Sequence, residues 1–189
     1  MIFTLVCLTL FLAGCEGFMR DVEAPRNPSE DHYIIPTEAS LVFDNLEGAF
    51  QYRDYTIYTR CLADSSLASR YFQFHSSPVK AIVFQQIGTV QNEELYFRAL
   101  LSACPSDSIL SLSLSLRDVP DNDDGDSVQY QIDYEIYAGH ARHGIDHEFR
   151  GSGVFKLLRD SRNYWVIYDW QDIPQSGTTA TWSDLKAYF

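Results

Sequence analysis

After Pro36-Thr37-Glu38 the apolar residues recur at helical spacing. Ala39, Val42, Phe43, Leu46, Ala49 and Phe50 fall at i, i+3, i+4, i+7, i+10 and i+11, which predicts one buried helix face, with Thr37 as N-cap and Glu38 in the first turn. Arg53-Asp54 interrupts the run, and Asp54 is placed to cap a short second helix that carries Tyr55, Tyr58, Cys61 and Leu62 on one side. Arg70 to His75 (RYFQFH) alternates and is rich in aromatics, which predicts a strand. Val79 to Gly88 is apolar without a period that selects strand or helix. From Asn92 to about Ser102 a third helix is expected, with Leu95, Tyr96, Ala99 and Leu100 inward.

The second half changes period. Leu110, Leu112, Leu114 and Leu116 alternate with serines, and Val128, Tyr130, Ile132, Tyr134 and Ile136 alternate with polar residues, as half-buried antiparallel strands do. A third strand, His147 to Arg159, puts Phe149, Gly151, Gly153, Phe155 and Leu157 on one side. The glycines there either open pocket volume or admit a bend, the bend being the commoner use. A fourth strand, Tyr164 to Ile173, is apolar on both sides, and Asp160-Ser161-Arg162-Asn163 before it has hairpin chemistry. Thr181-Trp182-Ser183-Asp184 has the spacing of a capping box. Helices followed by a long meander predict one α+β domain over residues 36–189: N-terminal helices on the concave face of a curved antiparallel sheet, then a short C-terminal helix.

Before this domain, residues 1–14 are uncharged and apolar, too short for a permanent membrane span, and read as an export signal. Leu12-Ala13-Gly14-Cys15 resembles the bacterial lipobox, which implies cleavage before Cys15 and acylation of that cysteine. No Lys or Arg precedes the run, where such signals carry one. Residues 15–35, with prolines, charges and no apolar period, are expected to form a flexible tether. The expected location is the cell envelope, lipid-anchored and facing the periplasm or exterior. Glu16, rather than Asp, after the lipidated cysteine implies the outer membrane in a Gram-negative host.

Charge narrows the partners. All 14 basic and 26 acidic residues lie after Gly14, for a net charge of −12, and no Lys/Arg cluster is present to exchange for counterions on a nucleic acid. The bilayer contact is therefore assigned to the acyl chains. Of the four cysteines, Cys61 and Cys104 remain in the mature domain, each at a helix end. In an exported chain that invites a disulfide, worth about 4 kcal/mol for a loop of this length; two separately buried thiols are the alternative.

Two clusters raise the question of a metal. In Asp121-Asn122-Asp123-Asp124-Gly125-Asp126, counting back from Gly125 puts Pro120 at the first ligand position of a calcium loop, so the pattern fails. His140, His143 and His147, with Asp146, are a candidate zinc or copper set, although Gly139 and Gly144 mark the stretch as a loop. No metal and no cofactor is expected.

Several stretches together resemble the nuclear transport factor 2-like superfamily, cone-shaped domains of cystatin-like α+β type. They are Phe43, Leu46, Ala49 and Tyr52 on the first helix; the Arg53-Asp54 break; Cys61-Leu62-Ala63-Asp64; and Phe72-x-Phe74-His75. Tyr164-Trp165-x-Ile167-x-x-Trp170-x-Asp172, followed by Thr181-Trp182-x-x-Leu185-Lys186, resembles the end of such domains in poorly characterised bacterial lipoproteins. The resemblance implies a curved sheet around helices with a conical pocket. It leaves activity open, since the superfamily holds isomerases, dehydratases, ligand binders and interaction modules. In relatives such as ketosteroid isomerase and scytalone dehydratase an Asp or His works with Tyr hydroxyls in an apolar cavity. Tyr55, Tyr58, His75, Asp169 and Asp172 are of those types here, but none matches a catalytic motif. The expected function is a membrane-anchored, non-enzymatic module for a small apolar ligand or an envelope protein. The alternatives are a cofactor-free isomerase or hydro-lyase using a pocket Asp/His and Tyr, and a structural module whose cone is filled by its own side chains.

Overall fold

The computed structural model describes residues 32–77, 88–116, 125–177 and 180–189. The segment before His32, which contains Cys15, most of the ambiguous stretch 79–88 and the acidic run 121–124 lie outside the described residues. The elements in chain order are α1 (Leu41–Gln51), α2 (Tyr55–Arg60), β1 (Gln73–His75), α3 (Val90–Ala103), β2 (Leu110–Leu116), β3 (Ser127–Ala138), β4 (Glu148–Arg159), β5 (Trp165–Ile173) and α4 (Trp182–Tyr188).

The five strands form one curved sheet in the order β1-β5-β4-β3-β2. β2 to β5 pair antiparallel, as their alternation predicts, whereas β1 joins the edge parallel to β5 through Gln73↔Asp169, Phe74↔Trp170 and His75↔Gln171. The expected strand 70–75 thus shortens to three residues: only those lie beside β5. The register of β4 on β5 shifts between Lys156 and Leu157, where Tyr168 of β5 is the extra residue of a bulge, the place where a sheet bends. The bend is not at the glycines. Gly151 and Gly153 are covered by the rings of Tyr134 and Phe155: an added Cβ would lie 2.3 Å from Tyr134 Oη and 2.3 Å from Phe155 Cε2. The missing side chains therefore admit aromatic rings rather than open a pocket.

α1 buries Val42, Phe43, Leu46, Ala49 and Phe50 as the spacing predicts, but it begins at Leu41, three residues beyond Glu38. The entering chain is committed elsewhere. The buried Asn45 side chain accepts from Ile34 N–H at 2.8 Å and donates to Ile34 O at 2.7 Å, and Pro36 O accepts from Trp165 N–H. The Arg53-Asp54 break is realised as a sharp corner. Arg53 has φ +54° and its guanidinium donates to Cys104 O and Ser108 O at 2.9 and 2.6 Å, while Asp54 caps α2 by accepting from Thr56 and Ile57 N–H.

α3 is rotated from its expected phase. Glu93, Tyr96, Phe97 and Leu100 face inward, and Leu95 is 66% exposed. Thr89 caps it, accepting from Asn92 N–H. The β4–β5 turn follows its sequence: the Asp160 carboxylate accepts from Arg162 and Tyr164 N–H, and Asn163 takes φ +65°. At α4 the capping box forms, with Asp184 accepting from Thr181 N–H at 2.9 Å. The interior between helices and sheet is aromatic. Trp170 of β5 and Trp182 of α4 meet edge to face at 4.4 Å, with Phe50 and Phe155 against them.

Candidate functional site

Two buried polar clusters interrupt this aromatic interior, and both involve α4. In the first, Lys186 Nζ donates to Oε1 and Oε2 of Glu93 at 2.7 and 2.8 Å, and Tyr58 Oη donates to Glu93 Oε2 at 2.6 Å. Both charged side chains are 1% exposed. The ammonium lies 3.5 Å from the ring centre of Phe74, 3.9 Å from that of Trp170 and 5.6 Å from that of Tyr96. Aromatic faces are electron-rich and attract a cation, most strongly when water is excluded. The walls are themselves held: Tyr58 stacks on Phe97 at 4.3 Å, and Trp182 Nε1 donates to Tyr96 Oη at 3.1 Å. Trp170 Nε1 is buried with no acceptor among the described residues.

Burial dominates the titration of this cluster. It pulls the Lys186 ammonium down to about 8, against the opposing pull of Glu93 and Asp172. It pushes the Tyr58 and Tyr96 phenols well up, an effect that the Glu93 charge reinforces. A groove of about 210 Å³, lined by Asn92, Leu95, Tyr96 and Phe189, also borders Glu93 and Lys186. A larger cleft of about 340 Å³ lies beside Asp64, Tyr71 and Gln91 but reaches neither buried cluster.

The second cluster centres on Asp172. Its Oδ1 accepts from Tyr134 Oη at 2.6 Å; its Oδ2 accepts from Ser183 N–H at 2.8 Å and from the Ser183 hydroxyl. Tyr134 Oη in turn accepts from Trp182 N–H at 2.8 Å. Burial, then the Asp172 charge, pushes the Tyr134 phenol far up, so it serves as a donor to Asp172. These bonds satisfy N–H groups in the first turn of α4 and fasten it over the sheet.

Of the residues singled out in the sequence, Tyr58 and Asp172 enter the interior, in different clusters. Tyr55 is half-buried at the edge of the core, with the Arg98 guanidinium 3.4 Å from its ring centre. His75 pairs with Asp169 at 2.9 Å, and Asp169 also faces Lys156 at 3.4 Å. That pair sits outside the cone, since strand alternation sends Asp169 to the side opposite Trp170 and Asp172. The five residues therefore do not assemble into one pocket.

The histidine set does not form a ligand cluster. His140 Nε2 lies 3.0 Å from Asp146 O, its Nδ1 accepts from Arg142 N–H, and His147 Nδ1 lies 2.9 Å from Ala138 O, while the two rings stack at 4.5 Å. His143 is exposed on the loop. Among the described residues no group of three His, Cys, Asp or Glu is placed to hold a metal. The expected bridge is also absent: Cys61 and Cys104 are free, buried thiols. Cys61 Sγ faces Ile57 O at 3.3 Å and Val42 O at 3.7 Å under α1, while Cys104 ends α3.

Sequence reading missed Glu93, Lys186, Tyr134 and Ser183. A signal was present for the first two. Glu93 precedes Tyr96, Phe97 and Leu100 by three, four and seven residues, and Lys186 follows Trp182 and Leu185 by four and one. Each is a charge on an apolar helix face, which only a buried partner makes tolerable.

No family model matches the chain, and no curated protein matches it in sequence. Solved structures do match in shape. An NTF-2 like protein of unknown function from Shewanella oneidensis superposes with TM-score 0.52 at 8% identity, covering 70% of this chain and 93% of its own. The Kfla4162 protein from Kribbella flavida gives 0.53 at 12% identity, with coverages of 84% and 98%. LinA gives 0.50 at 10% identity, with coverages of 72% and 86%. At such identities the likeness speaks for architecture alone: the domain has the nuclear transport factor 2-like fold.

Proposed function

We propose that this protein is a binding module rather than an enzyme, held at the extracytoplasmic face of a membrane by acyl chains on Cys15 and taking a small ligand at the Glu93–Lys186 end of its cone. The observation that carries the binding reading is the state of the interior carboxylates. Glu93 already accepts from Lys186 and Tyr58, and Asp172 from Tyr134 and both Ser183 donors. A general base needs a lone pair that can reach a substrate proton; here three of the roughly four acceptor positions of each carboxylate are engaged by the protein itself. That counts against Asp172, one of the carboxylates the isomerase or hydro-lyase alternative could use.

A ligand is accommodated differently. The groove over Leu95, Tyr96 and Phe189 offers an apolar floor with a fixed charge pair buried beside it, the combination of apolar wall and few polar groups that small-molecule sites use. The anchor reading rests on Leu12-Ala13-Gly14-Cys15 and the polar stretch after it.

Two experiments test the parts separately. Native mass spectrometry of the protein isolated from its own envelope is expected to show a co-purifying small molecule; a mass equal to that of the bare chain speaks against a resident ligand. Replacing Cys15 by Ser is expected to release the protein from the membrane fraction. Retention as firm as that of the wild type removes the anchor.

A further inference from the structure

We propose that the chamber formed by Glu93, Phe74, Tyr96 and Trp170 is a receptor for a primary alkylammonium group, and that Lys186 occupies it as a built-in competitor for an amine ligand. This rests on the binding reading above and names the chemical class of ligand for the same site.

The chamber has the parts of an ammonium receptor. A carboxylate offers both oxygens to one nitrogen, at 2.7 and 2.8 Å, and is itself fixed by Tyr58 Oη. Two aromatic faces stand within 4 Å of the cation and a third at 5.6 Å. Nothing in this arrangement requires that the ammonium belong to the protein. As a device for stability alone it is a poor choice, because apolar side chains of the same volume hold a core at least as well as a buried ion pair.

The groove lined by Asn92, Leu95, Tyr96 and Phe189 also borders Glu93 and Lys186, whose side chains are 1% exposed. Lys186 sits in the last turn of α4, whose anchoring bonds at Trp182 and Ser183 do not involve it. Exchange with an amine requires the Lys186 side chain to move into the groove while those bonds keep α4 docked. The groups facing it are Glu93 and Tyr96 from α3, Tyr58 from α2 through Glu93, Phe74 from β1, and Trp170 with the more distant Asp172 from β5. Burial lowers the resident ammonium to about 8, whereas a free alkylammonium titrates near the ordinary lysine value, about 10.4. At pH 9 the amine in solution is still charged, and once inside the chamber it meets the same burial and the same Glu93 carboxylate as the resident lysine.

The test uses n-propylammonium chloride, which supplies the atoms that Lys186→Ala removes, with n-propanol as the uncharged control and NaCl for ionic strength. Binding is read from the fluorescence of Trp170 and Trp182 and from the thermal midpoint. Lys186→Ala is expected to bind n-propylammonium saturably, with a rise in midpoint that neither control produces. The wild type at pH 9 is expected to bind it too, roughly tenfold more weakly, because the resident lysine must leave first. The Glu93→Gln/Lys186→Ala double variant is expected to lose the preference for amine over alcohol.

Saturation by Lys186→Ala without any by the wild type makes Lys186 a permanent occupant and overturns the proposal, leaving the binding reading to other ligand classes. Absence of saturation in both overturns it as well. If Lys186→Ala does not fold, the wild-type titration at pH 9 decides alone. A co-purified ligand that carries no amine refutes the inference and leaves the binding reading standing.

Discussion

The Lys186 ammonium and the Glu93 carboxylate, 93 residues apart in sequence, meet inside the cone with both N···O distances under 3 Å and neither side chain exposed beyond 1%. The pair ties α4 to α3 across the aromatic interior. A buried pair of this kind gains Coulomb energy and loses hydration in comparable amounts, so its net worth is small while the cost of breaking it is large.

Lys186→Met in the presence of Glu93 is accordingly expected to destabilise the domain by about 3–5 kcal/mol, because a carboxylate is left buried and uncompensated. The Glu93→Leu/Lys186→Met double variant is expected to recover most of that loss. Urea unfolding of the two singles and the double gives the cycle, and additive losses show that the pair does not act as a unit.

The same lysine predicts a pH dependence. Its folded value is about 8, below the unfolded value of about 10.4. Between these the unfolded chain binds the proton and the native chain does not, so stability rises with pH across that window and is flat below it. The rise is on the order of 3 kcal/mol. It is to be read as the difference between wild type and Lys186→Met, since the buried thiols and phenols, whose values are raised, oppose it at the alkaline end. A difference that falls from pH 8 to 10 contradicts the assignment.

Gly151 faces Tyr134 across the β3–β4 pair, and a methyl there would stand 2.3 Å from Tyr134 Oη and 3.0 Å from Ile173 O. The ring cannot yield without breaking its bonds to Asp172 and to Trp182 N–H. Gly151→Ala is therefore expected to cost about 3 kcal/mol or more, at the upper end of overpacking effects. Because those bonds fasten α4, near-ultraviolet circular dichroism from Trp182 is expected to weaken as well. An unchanged thermal midpoint shows that the sheet relaxes freely there.

Cys61 and Cys104 supply a redox test. Burial pushes both thiols up, and Cys61 is sealed beneath α1. Neither is expected to react with Ellman's reagent in the native protein at pH 8, and both are expected to react in denaturant. No free thiol from this pair after denaturation shows that they are bridged in the protein as isolated.

Local pattern determined much of this protein. The helical spacing of Val42 to Phe50 named the buried face of α1, because a helix covered on one side must repeat its apolar residues near every 3.6. Alternation found β2, β3 and β4, and side-chain capping chemistry found the Arg53-Asp54 corner, the 160–163 turn and the Thr181–Asp184 box. Each of these is written within a few residues of where it acts. Tertiary structure decided what depends on distant partners. The phase of α3 turned Leu95 out and Glu93 in because Lys186 and Tyr58 meet the carboxylate there. β1 shortened because only three of its residues lie beside β5, an edge that it joins parallel. Asp169 and Asp172, three residues apart on one strand, went to opposite faces of the sheet, so one became a solvent-facing partner of His75 and the other the buried anchor of α4. A sequence states which residues prefer burial; which charges can be buried together depends on the packing that brings them within 3 Å.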